Sequence, residues 1–126
     1  MKNDPKHSEG MKVRREVLGN EHVDRAIQKT DDFTREFQDL ITRYAWGEIW
    51  RRPGLPRSTR SMLTLALLIA QRNEDEFRMH VHAALRNDVT EDEIREVLLH
   101  AAIYCGLPAA NKAFQIAQEV LRSPSE

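Results

Sequence analysis

The chain has a single cysteine, Cys105, among its 126 residues. An intramolecular disulfide and a C-x-x-C redox pair are therefore both excluded. Aromatic residues are scarce, at 6%, so the few present are worth locating. Charge of neither sign dominates: 19 Lys and Arg face 20 Asp and Glu, a net charge of −1. No overall field recruits nucleic acid or an anionic membrane, and neither is expected as a partner. The longest apolar run, MLTLALLIA from Met62, is far shorter than the ~20 residues of a bilayer span. Gly-rich phosphate loops, G-x-S-x-G elbows and H-x-x-x-H or H-E-x-x-H metal runs are missing. The first ten residues, MKNDPKHSEG, are polar and lack the apolar core of a secretory signal. These absences leave a cytoplasmic globular protein, long enough to bury a core without staples.

What is present is helix punctuation. Residues 1–10 carry Pro, Gly and Ser among polar groups and are expected to form a disordered tail, followed by one domain over 11–126. Phe33, Phe37, Leu40, Ile41 and Tyr44 follow a helical stripe, with Asp31 or Asp32 placed to cap its start. RRPGLP, Arg51 to Pro56, must be a loop because its prolines forbid a continuing helix. Ser58 can cap the next helix, which runs to about Gln71. That helix is apolar nearly all round, which predicts burial on every side, in the domain centre or between subunits. A further helix spans about Glu74 to Asn87. Thr90 with Glu93 forms a capping-box pattern that opens a helix running to Tyr104. Gly106 suits the left-handed turn that ends it, and Pro108 the first turn of a last helix. No alternating run suggests a sheet. The pattern is all-α, antiparallel helical hairpins with short connections.

The stretch EFRMHVHAAL, Glu76 to Leu85, holds two histidines. At about 100° per residue, His80 and His82 point roughly 200° apart, so one helix cannot aim both at one metal ion. No metal is expected. His82 shares a face with Arg78 and Arg86 and is expected to meet solvent. His80 borders the apolar stripe of Phe77, Val81, Ala84 and Leu85, with Glu76 four residues before it. Arg72, Glu76 and His80 would form a row of cation, carboxylate and imidazole along one helix edge. A carboxylate beside an imidazole favours the imidazolium and fixes its orientation, as a proton donor needs. The same spacing also fits an ordinary helical pair that satisfies a half-buried histidine.

Two further groups bear on chemistry. YAWGEIWRRPGL sets Tyr44, Trp46 and Trp50 beside Arg51 and Arg52. Aromatic walls with guanidinium forks suit an unsaturated carboxylate ligand, whereas two tryptophans packed at a helix end are an equally simple reading. Cys105, in an apolar run without a neighbouring base, reads as a buried thiol.

Taken in order, YAWGEIWRRPGL, TRSMLTLALLIA and EFRMHVHAALRNDVTEDEIREVLLHAAIYCGLPAANKAF resemble the γ-carboxymuconolactone decarboxylase family. The likeness runs from about Val17 to Leu121. That family belongs with the alkyl hydroperoxidase D-like proteins, which implies their all-helical fold. In those redox relatives a C-x-x-C pair precedes a histidine that corresponds to His80. The cysteine positions then fall on Asn73 and Glu76, so their peroxidase chemistry is lost while the histidine remains. Asp88 stands where glycine is expected, and Pro56 where an acidic residue is expected.

The resemblance implies decarboxylation of γ-carboxymuconolactone to β-ketoadipate enol-lactone in protocatechuate breakdown, with no cofactor. On that reading His80 is the proton donor and Glu76 its orienting partner. Arg52, with Arg51 or Arg60 in reserve, would bind a substrate carboxylate, and Trp46 would wall the ring. It further implies a homo-oligomer, a hexamer built as a trimer of dimers. Two other readings use the same residues: a small-molecule-binding helical oligomer without chemistry, and an isomerase of a related unsaturated lactone.

Overall fold

The computed structural model describes residues 4–123. It contains seven α-helices and one π-helix, and no strand among the described residues. The described residues gather into two compact units, divided between residues 56 and 57.

The first unit holds α1 (Pro5–Leu18), α2 (Asn20–Lys29) and α3 (Arg35–Ile41), which runs on into a π-helix (Thr42–Ile49). Residues 5–10 are thus the opening turns of α1 and not a disordered tail; residues 1–3 lie outside the described residues. The reason is local. Asp4 accepts a hydrogen bond from the His7 amide as the N-cap, and Pro5 supplies the preset φ of a first helical residue. Asp31 fixes the entry to α3 by accepting from the amides of Phe33 and Thr34 (3.1 and 3.2 Å). It thus acts where a cap was expected.

Thr42, the first residue of the π-helix, turns its hydroxyl back onto the Gln38 carbonyl at 2.8 Å. α1 lies close against this segment. A Cβ on Gly10 would collide with the Thr42 carbonyl and stand 2.9 Å from the Gly47 nitrogen, and one on Gly47 would strike the Lys6 carbonyl. Polar pairs run along the same seam: the ion pairs Lys6–Glu48 at 3.1 Å and Arg43–Asp4 at 3.3 Å, and the contact of His7 Nε2 with Asp39 at 3.3 Å. The expected aromatic stripe stays open: Phe33, in the turn before α3, is 94% exposed, and Phe37 on α3 and Tyr44 on the π-helix are exposed as well.

The second unit holds α4 (Arg57–Ala70), α5 (Glu74–Arg86), α6 (Glu91–Cys105) and α7 (Leu107–Arg122). α4 folds back on α5 and α6 on α7 as hairpins, and α4 also meets α6 while α5 meets α7. Leu65, Ile69, Phe77, Val81, Ile94, Leu98 and Ile116 anchor its continuous core. The capping box of α6 is complete: Glu93 accepts from the Thr90 amide at 2.9 Å, and Thr90 from the Glu93 amide at 3.1 Å. Gly106 (φ 96°) ends α6 and Pro108 lies in the first turn of α7. Asp88 takes φ 68°, the left-handed conformation that glycine would have supplied.

Two expectations for α4 change. The helix opens at Arg57, one residue before the serine expected to cap it. Within the chain it is buried on one side, through Ser61, Leu65 and Ile69, while Leu63 and Leu67 are exposed on the other, so the domain centre falls and a subunit contact stays a proposal.

Candidate active site

His80 lies on α5, a helix opened by Glu74, Asp75 and Glu76, carboxylates that favour its positive N-terminal end. Phe77, Val81 and Ala84 fix the rotation of α5 by filling the core. His80, three residues after Phe77 and four before Ala84, therefore falls on the rim of the buried stripe. It is half-buried, with Nδ1 shut off from solvent.

Glu76 sits one turn earlier and is exposed. The expected row of Arg72, Glu76 and His80 does not form along one helix. α4 ends at Ala70, and Arg72 lies in the turn before α5 with φ 56°. The Asn73 amide reaches the Leu68 carbonyl at 3.0 Å within that turn, so the chain reverses there and carries Arg72 off the α5 axis. Asn73 and Arg72 instead border a small cavity of about 50 Å³ with Phe77 and Lys112.

His82 departs from its expected solvent-facing place and is half-buried. Its neighbours on that face behave as charged surface: Arg86 is exposed, and Arg78 pairs with Glu119 of α7 at 2.7 Å. This bond holds the Glu119 carboxyl below its ordinary 4.5. His100 is exposed on α6, its ring 5.2 Å from that of Tyr104. Cys105 is half-buried against the core of its unit, close to the buried thiol expected. Among the described residues no group of three or more His, Cys, Asp and Glu side chains is placed to hold a metal ion. No described helix is long and apolar enough to cross a membrane.

Arg60 belongs to the same unit as His80, in the first turns of α4, half-buried with its Nε enclosed. The remaining candidates belong to the first unit. Arg51 and Arg52 are exposed in the loop after the π-helix; Arg51 approaches the Gly47 carbonyl at 3.5 Å and Arg52 lies 4.0 Å from Glu48. Trp46 is only 6% exposed and stacks on Trp50, with ring centroids 5.1 Å apart. Its face is thus largely taken by packing, and Trp50, half-buried, is the more accessible ring. The π-helix, which carries Trp46 and ends one residue before Trp50, had no signal in the spacing of apolar residues.

Comparison with known proteins places this arrangement. A family model described as the carboxymuconolactone decarboxylase family matches residues 35–119. The chain is 49% identical over 122 residues to a 4-carboxymuconolactone decarboxylase of Acinetobacter baylyi, covering 97% of this chain and 91% of that protein. It is 50% identical over 113 residues to a nitrosuccinic acid decarboxylase of Metarhizium robertsii, covering 90% of this chain and 79% of that one. A 4-carboxymuconolactone decarboxylase sequence from Pseudomonas putida matches at 54% over 43 residues, 34% of this chain and 90% of that sequence. The all-helical fold and these matches agree: the chain belongs to the carboxymuconolactone decarboxylase family.

Proposed function

We propose that this protein is a cytoplasmic carboxy-lyase that converts γ-carboxymuconolactone to β-ketoadipate enol-lactone and CO₂. The observation that carries the reading is the near full-length match at 49% identity to a 4-carboxymuconolactone decarboxylase. The chemistry suits a protein that supplies only side chains. The departing carboxylate is vinylogous to the lactone carbonyl. As its C–C bond breaks, the electron pair passes through the C=C bond onto the carbonyl oxygen. The resulting dienolate then takes a proton at the carbon α to that carbonyl, so the molecule loses CO₂ and gains one hydrogen ion.

The protein's tasks are to hold carboxylates, favour charge on the lactone oxygen and deliver the proton. His80 delivers it, and its half-buried position supports the assignment, since a group sheltered from solvent can pass its proton to bound substrate. Glu76, one turn earlier on α5, is the candidate to orient that imidazole, a role that rests on the spacing of the two residues along the helix. Arg60 is the carboxylate-binding candidate within the unit of His80. Arg51, Arg52 and Trp46 are the candidates of the first unit, for a carboxylate and the ring respectively.

The nitrosuccinic acid decarboxylase relative favours a second reading of substrate. Nitrosuccinic acid bears a carboxylate on the carbon that carries the nitro group, so loss of CO₂ leaves a nitronate needing the same carbon protonation. CO₂ release from freshly generated γ-carboxymuconolactone, with chelator present, decides among the readings. Release at enzymic rates supports the lactone assignment. Release from nitrosuccinate alone transfers it to the nitro acid. Rearrangement without CO₂ makes the protein an isomerase, and binding without turnover makes it a ligand-binding oligomer.

The homo-oligomer, a hexamer arranged as a trimer of dimers, is part of the same proposal. Exposed Phe33, Phe37, Ile103, Tyr104 and Leu107 support it, because monomers rarely leave so much apolar surface in water. A monomer by sedimentation at micromolar concentration would overturn it.

A further inference from the structure

Arg14, on α1, is charged and 6% exposed, yet among the described residues no carboxylate pairs with it. Its Nη1 donates to Thr42 Oγ1 at 3.2 Å and its Nη2 to Gln38 Oε1 at 3.0 Å, both neutral acceptors. Its Nε is enclosed with no acceptor. The nearby carboxylates are engaged elsewhere: Asp39 with His7 at 3.3 Å, Asp32 with Arg35 at 2.5 Å, Asp4 with Arg43 at 3.3 Å and Asp24 with Arg15 at 2.9 Å. Burial and the adjacent Arg15 push the guanidinium below its ordinary value, as expected without counter-charge. A buried charge without a partner is among the costlier features a fold can hold.

The same guanidinium lines a cavity of about 270 Å³ in the first unit, walled also by Met11, Ile27, Arg35 and Gln38. Gln38 has its oxygen turned to Arg14, so its amide NH₂ remains to donate. The geometry points to this cavity as a binding site for a small monocarboxylate with a short aliphatic tail, whose charge completes Arg14. One unbalanced positive charge matches one negative charge, and the fork of an arginine matches a carboxylate. Asp39 on the wall disfavours a multiply charged anion such as phosphate, while Met11 and Ile27 suit a hydrocarbon tail.

The test is thermal melting of the wild-type protein with sodium butyrate, at ionic strength held constant with chloride and with phosphate as a second control. The site predicts a saturable rise in Tm of a few degrees with butyrate and none with phosphate, because a ligand that binds only the folded state stabilises it. Arg14→Met is expected to melt above the wild type without butyrate and to ignore butyrate. Gln38→Glu, which leaves Arg14 in place and supplies the missing charge within the chain, is expected to raise Tm and abolish the butyrate response. The second variant decides the matter if the first does not fold. A flat wild-type response, an equal response to phosphate, or a butyrate response that survives Gln38→Glu would each overturn the proposal. So would Gln38→Glu weakening self-association in sedimentation with no butyrate effect, since an acidic side chain of a second copy would then be the occupant. No turnover is read, so the outcome stands apart from that of the decarboxylase reading.

Discussion

The two units of this chain are held together by different physics. The second closes over a continuous apolar core in which Phe77, Leu65, Ile94 and Leu98 are almost wholly buried. The first buries fewer large apolar side chains, chiefly Val13, Val17, Val23 and Trp46, and includes Arg14 and Thr42 in its interior. What it has instead is close backbone approach at Gly10 and Gly47 and a line of polar pairs along the same seam. Area-driven burial tolerates small changes of shape, whereas a glycine contact between two backbones tolerates almost none.

That difference can be broken open by mutation. The largest expected effect is in the apolar unit: Phe77→Ala removes a fully buried ring and should cost about 3–5 kcal/mol of stability in denaturant unfolding. Next is Gly10→Ala in the first unit. Helix propensity favours alanine by about 1 kcal/mol, but the new methyl would meet the Thr42 carbonyl, and overpacking of this kind costs about 1–3 kcal/mol or more. The clash is expected to win, giving net loss and higher amide exchange in α1 and the π-helix. A gain in stability would show that the seam is looser than described. Thr90→Ala should cost about 1 kcal/mol by the same unfolding measurement, the usual worth of an N-cap.

The smallest effect is a pH dependence with one carboxylate in each unit. Hydrogen bonds from Lys6 and from Arg78 hold Glu48 and Glu119 below their ordinary 4.5. A lowered folded-state value means the stabilisation is present above pH 4.5 and is lost as pH falls through the folded value. Both groups are exposed, so the effect is slight. Glu119→Gln and Glu48→Gln should each flatten the acid side of the Tm profile and shed the dependence on added salt. An unchanged acid limb in both would mean that the pairs contribute nothing.

The contrast also explains what the sequence made legible. In the second unit the helix ends could be read almost to the residue, because Thr90 with Glu93, Gly106 and Pro108 are local signals whose physics does not depend on the rest of the fold. In the first unit the polar composition of residues 1–10 concealed α1, although Asp4 and Pro5 are a helix start in themselves. The π-helix was beyond reach: it lies where Gly10 and Gly47 bring two backbones together, and that approach is a fact of packing. The site shows the same split. That His80 would stand at the edge of the α5 stripe followed from helical period. That Arg72 would leave that helix edge followed from a turn at φ 56°, a conformation no spacing rule assigns to arginine. Trp46 was visible as an aromatic beside arginines, but only packing decides that Trp50 occupies one of its faces.

The central claim is that the half-buried histidine of α5 delivers a proton to the decarboxylated substrate. The direct measurement is CO₂ release from γ-carboxymuconolactone by His80→Ala against wild type, with both proteins shown to be folded and equally assembled. The account predicts turnover lower by roughly two to four powers of ten in the variant, the usual worth of general acid catalysis. Equal turnover would contradict it and move the proton to another group.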